Sequence, residues 1–207
     1  MKRAFILILS FIFIAAFLFP ACTEKPDPEP EPKPAAARGK FDLGEGFGAA
    51  IKADGSLWTW GENIYGQLGN GTTENSLVPV KVMDDVVYIS CGDYHMAAIK
   101  TDGSVWAWGT NELANIGVEA PEGMIEDRYG NLTVVPRPVK VLDDAVAIAS
   151  GFWICGALKK DGSLWVWGGA SGGGIGNGTE GNFTDEHGRH LQTVPAMTFG
   201  KGSILMP

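Results

Sequence analysis

Short apolar runs separated by turn-forming residues fill most of this chain, and one arrangement of them occurs three times. Residues 50–72 read AIKADGSLWTWGENIYGQLGNGT, residues 98–120 read AIKTDGSVWAWGTNELANIGVEA, and residues 157–179 read ALKKDGSLWVWGGASGGGIGNGT. In each copy an Asp-Gly pair (Asp54-Gly55, Asp102-Gly103, Asp161-Gly162) stands between two apolar runs. Asp-Gly supplies the positive φ angles of a two-residue turn, so each copy predicts a β-hairpin. Trp58 and Trp60 are two residues apart, as are Trp106 with Trp108 and Trp165 with Trp167, which sets each pair on one face of the return strand. The opposite face carries Leu57 and Thr59, Val105 and Ala107, or Leu164 and Val166. Apolar residues on both faces predict a sheet covered on both sides.

A further strand precedes each hairpin and ends at a glycine: Gly44 in FDLGEGFGAAIK, Gly92 in VVYISCGDYHMAAIK and Gly151 in AVAIASGFWICGALK. Upstream again, PVKVMDD from Pro79 and PVKVLDD from Pro138 nearly coincide. The expected unit is therefore PVKV, the strand ending at glycine, and the two hairpin arms, with proline opening an outer strand where a missing donor is tolerated. Blade one would lack its PVKV strand, and the TVPAMTF segment from Thr193 resembles that strand displaced to the far end. Gly44 to Gly92 is 48 residues and Gly92 to Gly151 is 59, the excess lying between Trp108 and Pro138. Four strands recurring at roughly 50 residues predict propeller blades. The fold class is all-β, a partial, about three-bladed β-propeller of four-stranded repeats over residues 39–207, open or incomplete.

The pattern G-x-x-H-x-x-A-I-x-x-D-G-x-V-W-x-W-G-x-N at Gly92 to Asn111, with GQLGNGT at Gly66 to Thr72, resembles the regulator of chromosome condensation repeat family. The resemblance covers about residues 41 to 200 and implies a β-propeller, commonly of seven blades, whose loops and rims bind other proteins. Some bacterial members inhibit β-lactamase, so an inhibitor of a secreted enzyme is one function that the resemblance implies. Copy two departs from the pattern at Ala114, Asn115 and Ile116, and copy three at Ile154 and Ala170.

The N-terminus carries an address. Lys2 and Arg3 precede an apolar run from Ala4 to Phe19, then Pro20-Ala21-Cys22, so residues 1–21 read as a secretory signal. Cysteine after a small residue resembles a bacterial lipoprotein signal, in which Cys22 is acylated and holds the protein to a membrane. Residues 22–38 alternate proline with charge and predict an extended, disordered linker. The expected location is exported and lipid-anchored, at the outer membrane or cell surface, with the facing open between surface and periplasm.

Charge and candidate chemistry narrow the function. The chain has 16 basic and 24 acidic residues, a net charge of −8, and removing Lys2 and Arg3 takes the basic count to 14. With no basic run longer than two residues beyond the signal, nucleic acid is not expected as a partner. Cys91 and Cys155 read as buried thiols or, in an exported compartment, a disulfide. Asp185, Glu186, His187 and His190 include a His-x-x-His that could hold a metal, but the stretch shows no helical or strand period and reads as a solvated insert. Asp84-Asp85 and Asp143-Asp144 read as turn formers, and His95, whose counterparts are Phe47 and Ile154, as an inward structural position. Lacking a nucleophile elbow or phosphate loop, the chain is expected to be no enzyme and to use no metal or cofactor. Equivalent turns carry Glu45-Gly46, Asp93-Tyr94 and Phe152-Trp153, so Asp93, Tyr94, Phe152 and Trp153 form a candidate interaction rim for an unidentified protein partner. The alternative is a glycan-binding surface that stacks sugars on aromatic rings. Three blades do not close a seven-bladed ring, which points to a fragment or to self-association through open blade edges.

Overall fold

The computed structural model describes residues 41–201 and 203, apart from 120, 128 and 186. The signal segment, Cys22 and the linker lie outside the described residues, as does Glu186. Strands β1 (Phe41–Leu43), β2 (Phe47–Ile51), β3 (Leu57–Gly61) and β4 (Ser76–Met83) form a four-stranded antiparallel sheet in that order. A second sheet holds β5 (Val86–Cys91), β6 (His95–Lys100), β7 (Val105–Thr110), β8 (Ile125–Glu126) and β9 (Leu132–Leu142) in the order β5-β6-β7-β9-β8. A third holds β10 (Ala145–Ser150), β11 (Ile154–Lys159), β12 (Leu164–Gly169), β13 (Phe183–Thr184) and β14 (His190–Phe199) in the order β10-β11-β12-β14-β13. These are three propeller blades that do not close a ring.

The phase of the repeat differs from the expectation. The PVKV segment does not open a blade; it pairs with the tryptophan strand that precedes it, Val80 opposite Thr59 and Val139 opposite Ala107. Each blade therefore runs from the glycine-ending strand, through the hairpin, to PVKV. Blade one is complete, and the segment from Thr193 belongs to blade three, where Ala196 stands opposite Val166. The physical reason is chain economy: the Asp84-Asp85 and Asp143-Asp144 connections cross to the next blade, with Asp85 and Asp144 at φ 64° and 65°. Pro79, Pro138 and Pro195 lie where the outer strand slips register against its neighbour. A bulge on an outer strand is a place where a missing donor costs little.

The hairpin turn is also longer than two residues. Lys52 N–H donates to the Ser56 carbonyl and Gly55 N–H to the Lys52 carbonyl, both at 2.9 Å, which encloses three residues with only Gly55 at positive φ. This is the turn-plus-bulge hairpin, in which a single left-handed residue suffices. The aspartate side chain does the rest: Ser56 donates to the Asp54 carboxylate at 2.6 Å and accepts the Trp58 indole N–H at 2.8 Å. The same relay joins Asp102, Ser104 and Trp106, and Asp161, Ser163 and Trp165. Hydrogen bonds from the serine hydroxyl and amide hold each of these aspartates below the usual carboxylate range.

Two cores lie between successive blades. One joins Phe47, Ala49, Leu57 and Leu68 of blade one to Ile89, Met96, Ala98 and Trp108 of blade two. The other joins Ala97, Ile99, Val105, Ala107 and Ile116 of blade two to Ile148, Cys155, Ala157 and Trp167 of blade three. The second tryptophan of each pair is the key. Trp108, fully buried, donates its indole N–H to the Gln67 carbonyl of blade one at 3.0 Å, and Trp167 to the Asn115 carbonyl of blade two at 3.0 Å. Gly69 and Gly117 make the seat, since a Cβ on either would lie 2.6 Å from the indole. At the centre, β1 lies against β5 and β5 against β10. There the Asp42 carboxylate accepts the Cys91 N–H, and the Ser90 hydroxyl accepts the Ser150 N–H.

Gly117→Ala should therefore lower stability by about 3 kcal/mol, combining left-handed strain with overpacking against Trp167. Urea unfolding followed by tryptophan fluorescence would show it as an earlier midpoint. The same change at Gly123, where a Cβ meets nothing within 4 Å, should cost only the strain.

Candidate functional site

Three equivalent turns form one rim. Gly44, Gly92 and Gly151 each donate their N–H to the carbonyl three residues on (Phe47, His95 and Ile154) at 2.7 to 3.0 Å. These tight turns place the residues after each glycine side by side. Glu45 N–H donates to the Asp93 carbonyl at 3.2 Å, and the Tyr94 hydroxyl donates to the Glu45 carboxylate at 2.8 Å. The bond to Glu45 raises the Tyr94 phenol above its ordinary value, with slight burial adding to the effect.

The structure brings the candidate rim residues into one aromatic row. Tyr94 and Trp153 ring centroids are 6.4 Å apart, and Phe152 meets Trp153 edge-on at 4.4 Å. Phe152 is 53% exposed, and Asp93, Tyr94 and Trp153 are half-buried. Sequence reasoning missed the fourth ring, Tyr65, whose centroid is 5.1 Å from that of Tyr94. Its position directly before Gly66, in the loop after the hairpin, is the signal that could have found it.

Tyr65 also borders a cleft of about 600 Å³, lined in addition by Glu112, Tyr129, Phe183, Asp185 and Arg189. Arg189 spans it, bonded to Asp185 at 2.6 Å and to Glu112 at 2.9 Å. The row and the cleft are one continuous surface crossing all three blades.

The solvated stretch around His187 is an ordered hairpin. Asp185 to Arg189 caps a β-hairpin between β13 and β14, with Phe183 opposite Leu191 and Thr184 opposite His190. The Asp185 carboxylate accepts the His187 and Arg189 N–H groups, as Asp127 accepts those of Tyr129 and Asn131 in blade two. Leu191 is buried on this short ladder while its partner Phe183 is 53% exposed, and two paired positions are too few to show a period in the sequence. His190 is in contact with Thr184 at 3.2 Å and Glu180 at 3.3 Å.

His95 and the cysteines are core groups. Cys91 and Cys155 are free thiols, and burial pushes Cys91 up and Cys155 to about 12. His95 lies 3.0 Å from the Cys155 sulfur, completely buried, and burial lowers its pKa to about 4. A thiol and an imidazole held neutral in this way form no nucleophile and base pair.

The geometry defines a tryptophan-keyed, partial β-propeller with an aromatic rim. Comparison with known proteins agrees. Residues 54–99 and 86–113 match two families, both described as the Regulator of chromosome condensation (RCC1) repeat. The chain is similar to the human E3 ubiquitin-protein ligase HERC2, 32% identical over 145 residues, which cover 66% of this chain and 3% of that protein. It is also similar to the mitochondrial RCC1 domain-containing protein RUG3 of Arabidopsis thaliana, 34% identical over 60% of this chain and 27% of that protein. Among solved structures, Prp20p from Saccharomyces cerevisiae superposes with a TM-score of 0.67 at 23% identity, covering 79% of this chain and 38% of Prp20p. Human WBSCR16 gives 0.58 at 21% identity, with 76% and 36% covered. The chain thus spans well under half of each.

A pH test isolates His95. Its folded pKa lies below the unfolded value near 6.5, so the folded state resists protonation and stability is full above that value and falls as pH drops toward 4. The shift corresponds to about 3 kcal/mol. His95→Phe, which copies Phe47, should flatten the dependence of the melting temperature on pH between 6.5 and 4.

Proposed function

We propose that this chain is a non-enzymatic protein-binding module, exported and held to the bacterial envelope by lipid on Cys22, with its partner received on the rim. The carrying observation is the row Tyr65, Tyr94, Trp153 and Phe152, which crosses three blades beside the cleft at Arg189. Clustered aromatic side chains supply large contact area at low entropy cost and dominate interface energetics. Asp93 and Glu45 at its border, with the acidic net charge of −8, favour a protein partner with basic groups over nucleic acid. Yeast Prp20p, which shares the fold, is described with binding properties to Gsp1p and histones, which supports a protein-binding use of such blades.

Glycan binding is the second reading, and one observation supports the same place for it. Trp108 and Trp167 are buried in the blade junctions, Trp106 and Trp165 are bonded to their own turns, and Lys52 covers Trp58 at 3.5 Å. Among the described residues, the rim is where neighbouring aromatic rings form a continuous row for sugar stacking.

The test is a pull-down from outer-membrane extracts with wild type and with Tyr94→Ala/Trp153→Ala. A partner retained by wild type and reduced at least tenfold on the variant is expected. Equal recovery on both removes the rim from the account, and Trp153 fluorescence quenching by soluble oligosaccharides without protein capture would favour the glycan reading.

A further inference from the structure

The two internal junctions repeat one contact, and the outer faces of blades one and three, as described, present its two unmatched halves. On the forward face, a loop offers a carbonyl between two residues of positive φ: Gly66 and Gly69 flank the Gln67 carbonyl, and Ala114 and Gly117 flank that of Asn115. Blade three builds the same loop. Gly173 and Gly176 have φ of 78° and 73°, Gly176 N–H donates to the Gly173 carbonyl at 2.9 Å, and Ile175 is buried like Leu68 and Ile116. The carbonyl equivalent to those of Gln67 and Asn115 is that of Gly174, and among the described residues no indole N–H donates to it. The apolar positions around it tell the same story: His95, Ala97, Ile99, Val105 and Ala107 are buried in blade two, while Ile154, Gly156, Leu158, Leu164 and Val166 are half-buried.

The backward face of blade one is the complement. Trp60, the counterpart of Trp108 and Trp167, packs over Gly48 on its own blade, and its indole N–H has no hydrogen-bond partner among the described residues. Phe41 is 72% exposed, whereas its counterparts Ile89 and Ile148 are 2% and 5% exposed because a preceding blade covers them.

We infer that a second copy of this chain docks head to tail, with Trp60 of one copy seated on the Gly173–Gly176 loop of the other and its indole N–H bonded to the Gly174 carbonyl. The argument is the continuity of the junction: the chain makes this contact twice within itself, and its open faces are the two sides of a third. The contact is face to face, not edge to edge, since the outer strands carry prolines and bulges. It is also heterologous, so the rotation from blade to blade decides whether copies close a ring or extend. The junction is weaker than the internal ones, because Ala149 replaces the side-chain acceptor supplied by Asp42 and Ser90 at the centre. Association is therefore concentration-dependent.

Sedimentation velocity of the full chain in detergent micelles tests this. Wild type should pass with concentration from the 22.0 kDa chain toward twice that mass and above. Trp60→Ala, Phe41→Glu on the backward face and Val166→Glu on the forward face should each weaken association more than tenfold; Phe41 is exposed enough that its variant tests the face even where Trp60→Ala unfolds. Phe41→Glu mixed with Val166→Glu should regain a dimer, because each supplies the face that the other lacks. A wild type that stays monomeric, single variants that associate as wild type does, or a mixture that stays monomeric would overturn the inference.

Discussion

An indole N–H pointing at a carbonyl of the neighbouring blade fixes this structure. A β-sheet of four strands cannot bury both faces alone, so each blade depends on the next for its core. Tryptophan suits the junction because it brings a large apolar area and one donor, and the donor must find an acceptor once buried. The loop that receives it needs left-handed backbone at two positions around the carbonyl. Glycine provides this at five of the six sites, and Ala114, at φ 60°, accepts the strain at the sixth. The third copy can lose the Asn63-type side chain, with Ala170 in its place, and still hold the loop through backbone bonds.

The two tryptophans of a pair divide the work. The first binds its own turn through serine and aspartate, which stiffens the hairpin and fixes the angle of the strand. In the second and third copies the second, Trp108 or Trp167, reaches across to the preceding blade. The rim aromatics Tyr65, Tyr94, Trp153 and Phe152 stand apart from this work: they meet one another in a row and belong to neither core.

Most of the blade was legible because its signals are local. Alternating Trp58 and Trp60 and the Asp-Gly turn report strand and hairpin directly, and three copies remove chance. What failed was assignment between neighbours. PVKV lies between two blades in sequence, and nothing in its own residues says which it joins; the answer lies in the left-handed Asp85 and Asp144 that follow it. The Asp-Ser-Trp relay hid in plain sight because the serine reads as a turn residue. At the rim, Asp93, Tyr94, Phe152 and Trp153 could be placed from the repeat register alone. The Glu112–Arg189 pair could not, since it joins loops 77 residues apart.

The central claim is that Trp108 and Trp167 lock the blades together while Trp60 waits unmatched. Hydrogen exchange of the seven indole N–H groups, resolved by nitrogen-edited NMR on dilute protein, reads this directly. Trp108 and Trp167 should exchange slowest, near the rate of global unfolding, and Trp60 should exchange much faster. Trp108 or Trp167 exchanging as fast as Trp60 would contradict the account.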